Sequence, residues 1–331
     1  MASTMRAERF DDYVERALYH PERGFYAGGG RAGRRGDFLT SPEVGPLFGA
    51  VLAQALDMWW DDLGRPDPFT VVDAGAGPGT LARTVRLAAP ACGASLRYVT
   101  VERSVSQRAH HPDDVVRLDA LPDDAFSGVI VANELLDNLP FRLFERAAAG
   151  WREVHVEDGA EVLAETAADL PDVLAGLDAP EGARVPVQQA AAAWVGDALA
   201  AIERGRLVVI DYADTTASMA ARPQDEWLRT YRAHERGGSP LDGPGTQDIT
   251  VEVAVDQLAA VRRPDHDRSQ ADFLAAHGID DLVAEGRRHW TERAHVADLA
   301  ALRARSRITE AEALCDPVGL GAFRVLEWVV G

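Results

Sequence analysis

The stretch Phe69-Thr70-Val71-Val72-Asp73-Ala74-Gly75-Ala76-Gly77-Pro78-Gly79-Thr80-Leu81 decides how this chain is read. It has the pattern of a short buried strand, an acid at the carboxyl end of that strand, and a Gly-x-Gly-x-Gly turn that opens a helix. Glycine lets a backbone turn tightly and approach a ligand closely. A dinucleotide site places its third glycine one position later, where Thr80 stands, and leaves a helix N-terminus free for pyrophosphate. The spacing here instead favours S-adenosylmethionine. That molecule carries no phosphate, and its ammonium could pair with Asp73. Gly75, Ala76, Gly77 and Gly79 are the candidate loop residues.

Two further strand patterns end in acids. Leu96–Val101 leads into Glu102, and Val115–Leu118 leads into Asp119. In a doubly wound sheet the acid ending the second strand faces the ligand crevice, where a carboxylate accepts hydrogen bonds from both ribose hydroxyls. Asp119 is a candidate acceptor for the adenine amino group, or a loop acid among Asp113, Asp114, Asp123 and Asp124.

A fourth strand, Phe126–Ala132, runs into Asn133-Glu134-Leu135-Leu136-Asp137-Asn138-Leu139-Pro140. The chain contains no lysine, so its 34 basic residues are all arginine, and its only asparagines are Asn133 and Asn138. This usage suggests a GC-rich genome. Asparagine retained only at the mouth of the presumed crevice points to chemistry, since a turn could use Asp or Gly instead. Asn133 also reads as the cap of a following helix. Both readings remain open at this point.

These residues, with others, resemble the MidA-like methyltransferases, a family that includes the mitochondrial complex I assembly-factor arginine methyltransferase. The likeness spans nearly the whole chain. It is carried by Tyr13 through Tyr26, by Gly36-Asp37-Phe38-Leu39-Thr40-Ser41-Pro42-Glu43-Val44, and by Ala132 through Pro140. Ile210-Asp211-Tyr212 and Pro244-Gly245-Thr246-Gln247-Asp248-Ile249-Thr250 complete it. Asp73 stands where the family usually has Glu, and Leu135-Leu136 where an aromatic pair is common. The resemblance implies an α/β fold, a Rossmann-like class I methyltransferase sheet with an N-terminal helical extension and α+β cap insertions. It implies S-adenosyl-L-methionine as cofactor and a protein arginine as acceptor, on a subunit of respiratory complex I during assembly. It also implies that Gly36, Thr40, Ser41 and Pro42 fold over the cofactor. For a planar, cationic guanidinium, carboxylates are the natural clamp. Glu134 is the first candidate, with Asn133, Asp137 and Asp37 beside it and Glu43 as a further acid. A small-molecule methyltransferase and a non-catalytic assembly protein on the same fold are the alternatives.

Composition sets outer bounds. A chain of 331 residues, 47% hydrophobic, can bury a sizeable core. A formal net charge of −19 argues against non-specific nucleic-acid binding. Two cysteines give neither a disulfide framework nor metal spacing, and His110-His111, His289 and His295 lack companion ligands, so no metal site is expected. Met1–Arg9 reads as neither signal peptide nor transit segment, and the apolar run Val44–Trp60, with Pro46 and Asp57 inside it, reads as a core helix rather than a membrane span. The expectation is a bacterial, cytoplasmic enzyme of open oligomeric state. Its expected segments are an extension over 1–65, a cofactor domain over 66–140 and 205–331, and an inserted cap over 141–204. Within the cap, a hairpin should turn at Asp158-Gly159 and an Ala-rich helix should cover 187–202.

Overall fold

A computed structural model describes residues 7–27, 40–164, 170–232, 235–295 and 298–331. The chain forms two compact units. One comprises Met1–Gly30, Leu135–Asp197 and Tyr212–Arg263; the other comprises Arg31–Glu134, Ala198–Asp211 and Pro264–Gly331.

The second unit is built on a seven-stranded sheet. Its strands are β1 (Phe69–Ala74), β2 (Leu96–Val101), β3 (Val116–Leu118), β4 (Phe126–Asn133), β5 (Ile202–Asp211), β6 (His266–Ser269) and β7 (Arg324–Val330). They lie in the order β3-β2-β1-β4-β5-β7-β6. Strands β3 through β5 in that row run parallel, and β7 is antiparallel to both neighbours. This is a Rossmann-like arrangement. Strand order reverses between β1 and β4, and ligands of such sheets bind beyond the carboxyl ends at that reversal. All six residues of β1 are buried, as a central parallel strand covered on both faces requires.

One face of the sheet is covered by α2 (Pro46–Asp62), which follows the single turn α1 (Ser41–Val44), and by α3 (Thr80–Leu87). Pro46 does not break the expected core helix; it begins α2. At the first helical position its locked φ suits the helix and its missing N–H costs nothing. Phe48, Leu52 and Trp59 of α2 and Leu81 and Val85 of α3 join Phe69, Val71, Val129 and Val131 in one buried cluster. Each such side chain contributes roughly 1.5–3 kcal/mol through burial. Between β3 and β4 the alternation of strand and helix lapses, because residues 119–125 cross without a helix.

In the first unit, helix Phe10–Tyr19 accompanies a sheet of strands Glu8–Arg9, Gly150–Glu157, Arg142–Ala147 and Arg184–Val187. The expected hairpin is present. Strand Ala160–Leu163 pairs with Gly150–Glu157 through a turn at Asp158 and Gly159, whose φ values of 49° and 80° match a tight two-residue turn. The Ala-rich helix runs Gln189–Ala200. The unit boundaries depart from the expected segments. The α2 helix belongs with the sheet it packs on. Residues 212–263 belong with the first unit, where Gln188 and Gln257 are bonded to each other at 2.8 Å. No helix among the described residues is long and apolar enough to cross a membrane.

Candidate active site

The glycine loop leaves β1 with Gly75, Gly77 and Gly79 at φ of 71°, 51° and 77°. Its amides are already used. Gly75 and Ala76 donate to the Val101 carbonyl at 2.9 and 3.0 Å, Gly77 donates to Glu102 Oε2 at 2.9 Å, and Gly79 donates to the Ala76 carbonyl at 2.8 Å. A pyrophosphate would need such N–H groups turned outward. Here they fasten the loop to β2 and to itself, so the loop suits a ligand without phosphate. A Cβ built on Gly77 would meet no atom within 4 Å, so the backbone lines open space.

Two acids stand beside this loop. Asp73 is 3% exposed, and Tyr98 donates to its Oδ2 at 3.3 Å. Burial, and then the charge of Glu102, raises the Asp73 pKa to about 7 against the opposing Tyr98 bond. Glu102 is also raised by burial, although the N–H groups of Ser104 and Gly77 draw it back. Asp73 has no ion-pair partner among the described residues. A buried carboxylate so placed favours a cationic ligand. Asn133 ends β4 rather than capping a helix: the strand ladder with β5 reaches it at Ile210, and only a short 3₁₀ turn, Leu136–Asn138, follows. Its Oδ1 is buried and has no hydrogen-bond partner among the described residues. An orphaned acceptor, a cationically inclined acid and an open glycine turn together fit the amino-acid end of S-adenosylmethionine.

Glu134 adopts φ of 51°, uncommon for a residue with a side chain, and its N–H donates to the Ile210 carbonyl at 2.8 Å. Its Oε1 accepts from Asn133 Nδ2 at 3.0 Å and from the Ser41 N–H at 3.2 Å. Ser41 thus takes part through its backbone. Its hydroxyl is committed to Gln270 Oε1 at 2.8 Å in a buried bond. Thr40 is buried just ahead of α1, and Pro42 sits in its first turn. Gly36 and Asp37 lie outside the described residues. Asp119 follows β3 directly, beside Glu102, whose N–H donates to the Leu118 carbonyl at 3.1 Å. It lines a pocket of about 340 Å³ that runs along the sheet past Val99 to Thr70 and Arg97.

Asp137 and Asn138 belong to the first unit. Tyr212 donates to Asp137 Oδ2, and Asn138 Nδ2 donates to Asp248 Oδ1 at 3.1 Å. The Tyr26 hydroxyl lies 3.1 Å from Asn138 Oδ1 and 3.2 Å from Asp248 Oδ1. Burial raises the pKa of both Asp137 and Asp248, and the charge of Asp137 adds to the rise of Asp248. Tyr26, Asn138 and Asp248 come from three of the motifs quoted above, and the unit gathers them into one hydrogen-bonded network, while Tyr212 of a fourth motif is bonded to Asp137, next in sequence to Asn138.

His111, a residue without companion metal ligands in the sequence, makes a contact that no sequence motif announces. The His111 ring reaches the Gly77 carbonyl at 2.7 Å.

The comparisons with known proteins agree with S-adenosylmethionine as the cofactor. Among curated relatives, the mitochondrial protein arginine methyltransferase NDUFAF7 of Bos taurus is 27% identical over 321 residues, covering 81% of this chain and 69% of that one. Its Drosophila melanogaster homologue is 26% identical over 286 residues, covering 73% of this chain, which spans 63% of that relative's length. A Burkholderia thailandensis protein solved with S-adenosyl-homocysteine bound is 32% identical, with a TM-score of 0.81 over 98% of this chain and 88% of that one. The model of one family, described as S-adenosyl-L-methionine-dependent methyltransferases, matches residues 51–272, and the chain belongs to that family.

Proposed function

We propose that the protein transfers a methyl group from S-adenosyl-L-methionine to a guanidinium nitrogen of an arginine in a protein. The observation that carries the reading is Glu134, a carboxylate at the carboxyl end of β4 whose orientation is fixed by the Ser41 N–H and Asn133 Nδ2. When bound, the cofactor supplies a methyl group already activated by its sulfonium. The chain's own task is to position and exclude water. Asp73 and Asn133 would hold the ammonium, Glu102 the ribose hydroxyls and Asp119 the adenine edge, with Gly77 giving the backbone its close approach. Glu134 would accept guanidinium N–H groups and aim a nitrogen at the donor, with Asp137 and Asp37 as further candidate acids. A carboxylate held in advance needs no reorganisation when the acceptor arrives.

The curated relatives are protein arginine methyltransferases, which supports an arginine acceptor, and the motif resemblance makes a respiratory complex I subunit the candidate protein. A bacterial, cytoplasmic setting completes the reading. The test is a map of methylated arginines in the host with and without the gene. Loss of a defined arginine mark supports the proposal. Loss of a methylated small molecule instead assigns the chain to small-molecule chemistry, and no loss together with cofactor binding assigns it a non-catalytic role.

A further inference from the structure

His111 is 4% exposed and joins the glycine loop to β2. Its Nε2 lies 2.7 Å from the Gly77 carbonyl oxygen, and its Nδ1 lies 2.9 Å from Oγ1 of the fully buried Thr100. The Gly77 N–H is held by Glu102. One glycine is therefore gripped at both its polar groups, by Glu102 following β2 and by Thr100 within β2 acting through His111. The neighbouring residues match this arrangement. A Cβ on Gly79 would stand 3.0 Å from His111 Cδ2, so the third glycine also makes room for the ring. Arg83 Nη1 donates to the Pro78 carbonyl at 2.8 Å and to the His110 carbonyl at 3.0 Å, tying the same two segments together once more.

The ring's protonation follows from its partners. A carbonyl only accepts, so Nε2 carries a proton in every state that makes this bond. In the neutral ring Nδ1 then accepts from the Thr100 hydroxyl. In the cationic ring both nitrogens donate, and the Thr100 hydroxyl turns to the Val116 carbonyl, 3.2 Å away. Burial and the charges of Arg117, Arg83 and Arg108 favour the neutral ring, while the Gly77 bond works against them. The grip on Gly77 survives either way.

We propose that His111 is a positioning residue for the cofactor: its bond to the Gly77 carbonyl presets the turn in which the Gly77 N–H and the Glu102 carboxylate meet. This rests on the cofactor reading of the loop. Without the His111 bond the Gly77–Pro78 peptide is free to rotate and the turn that aims the preceding Ala76–Gly77 N–H at Glu102 is no longer set, so binding would have to restore that order at a cost in affinity.

The experiment titrates S-adenosyl-homocysteine into wild type, His111→Ala and His111→Gln by calorimetry, with melting of each protein followed without ligand. Glutamine can donate to the carbonyl and accept from Thr100. We expect His111→Ala to bind about tenfold more weakly and His111→Gln to stay within about threefold of wild type, as for one hydrogen bond lost or kept. In turnover, KM for the cofactor should rise in His111→Ala more than kcat falls. Unchanged affinity in a folded His111→Ala protein overturns the proposal, as does a His111→Gln protein that melts like wild type yet binds as weakly as His111→Ala. Should His111→Ala not fold, Thr100→Val takes its place, since it keeps the core shape and removes the hydroxyl. About threefold weaker binding supports the link, and unchanged binding overturns it. Wild type that binds no S-adenosyl-homocysteine overturns the cofactor reading and this proposal with it, whereas wild-type binding with an unaffected His111→Ala overturns this proposal alone.

Discussion

Glu102 Oε2 accepts the backbone N–H of Gly77 at 2.9 Å, while Oε1 of the same carboxylate accepts the N–H of Ser104 at 2.8 Å. The acid after β2 thus builds the loop. A carboxylate has about four acceptor sites, so both bonds leave room for ribose hydroxyls. Glu102→Gln should therefore be costly. Whichever way the amide turns, its NH₂ opposes one backbone N–H. Calorimetry with S-adenosyl-homocysteine should show a loss of about 1–3 kcal/mol. Wild-type affinity in this variant would remove Glu102 from the cofactor site.

Gly77→Val tests the loop itself. At φ of 51° a β-branched residue is strained, and the side chain would enter the space the backbone lines. The strain is about 1–2 kcal/mol, small enough for the fold to survive. The expected result is a folded protein by circular dichroism with no measurable cofactor binding. Normal binding would make the loop a structural turn.

What could be read from the chain alone follows from how local each feature is. Asp73, the three glycines and Glu102 were legible because strand, acid and turn are contiguous, and because parallel pairing sets β1 beside β2 with Asp73 opposite Thr100. Pro46 was legible as a feature of the apolar run, but its role depended on whether a helix begins or continues there. Asn133 reads as a cap only if a helix follows, and the ladder to Ile210 on β5 keeps it in a strand instead. His111 was illegible because its partner Gly77 lies 34 residues away and is a backbone carbonyl, which leaves no side-chain signature. The motifs holding Tyr26, Asn138 and Asp248 were visible as words. Their shared network spans 222 residues between Tyr26 and Asp248, so its reason appeared only in the fold.

Asp73 gives the site a pH dependence of definite sign. Its pKa in the folded chain is about 7, above the ordinary carboxylate value, chiefly because it is buried. A folded pKa raised in this way means that stability is greatest below about pH 4 as far as this group is concerned and declines as pH rises toward 7. A cationic ligand favours the ionised form. Binding should therefore release protons, and affinity should rise by up to about tenfold per pH unit below pH 7 and level off above it. Calorimetry in buffers of different ionisation enthalpy reads the proton release directly. Asp73→Asn should abolish the release, bind weakly at every pH, and gain stability over wild type as pH rises. Proton release that persists in Asp73→Asn would assign the titration to another group.

Glu134→Gln is the sharpest test of the acceptor. In wild type the Glu134 Oε1 satisfies the Ser41 N–H and Asn133 Nδ2. The amide oxygen of glutamine can keep both bonds, so α1 and Asn133 should hold their places and cofactor affinity should stay close to wild type. The other position becomes an NH₂ group, a donor facing a guanidinium that has only donors. Turnover on an arginine substrate should fall by about 10²–10³, as when a single oriented electrostatic partner is removed from a reacting site. Alanine is the poorer probe, because it strands both the Ser41 N–H and Asn133 Nδ2 and disturbs the cofactor side together with the acceptor side. Lost cofactor binding in Glu134→Gln would move the residue into the cofactor's own shell. Full turnover would pass the clamp to Asp137, Asp37 or Glu43, and full turnover in the amide variants of all four acids would exclude a guanidinium clamp and favour a small-molecule acceptor.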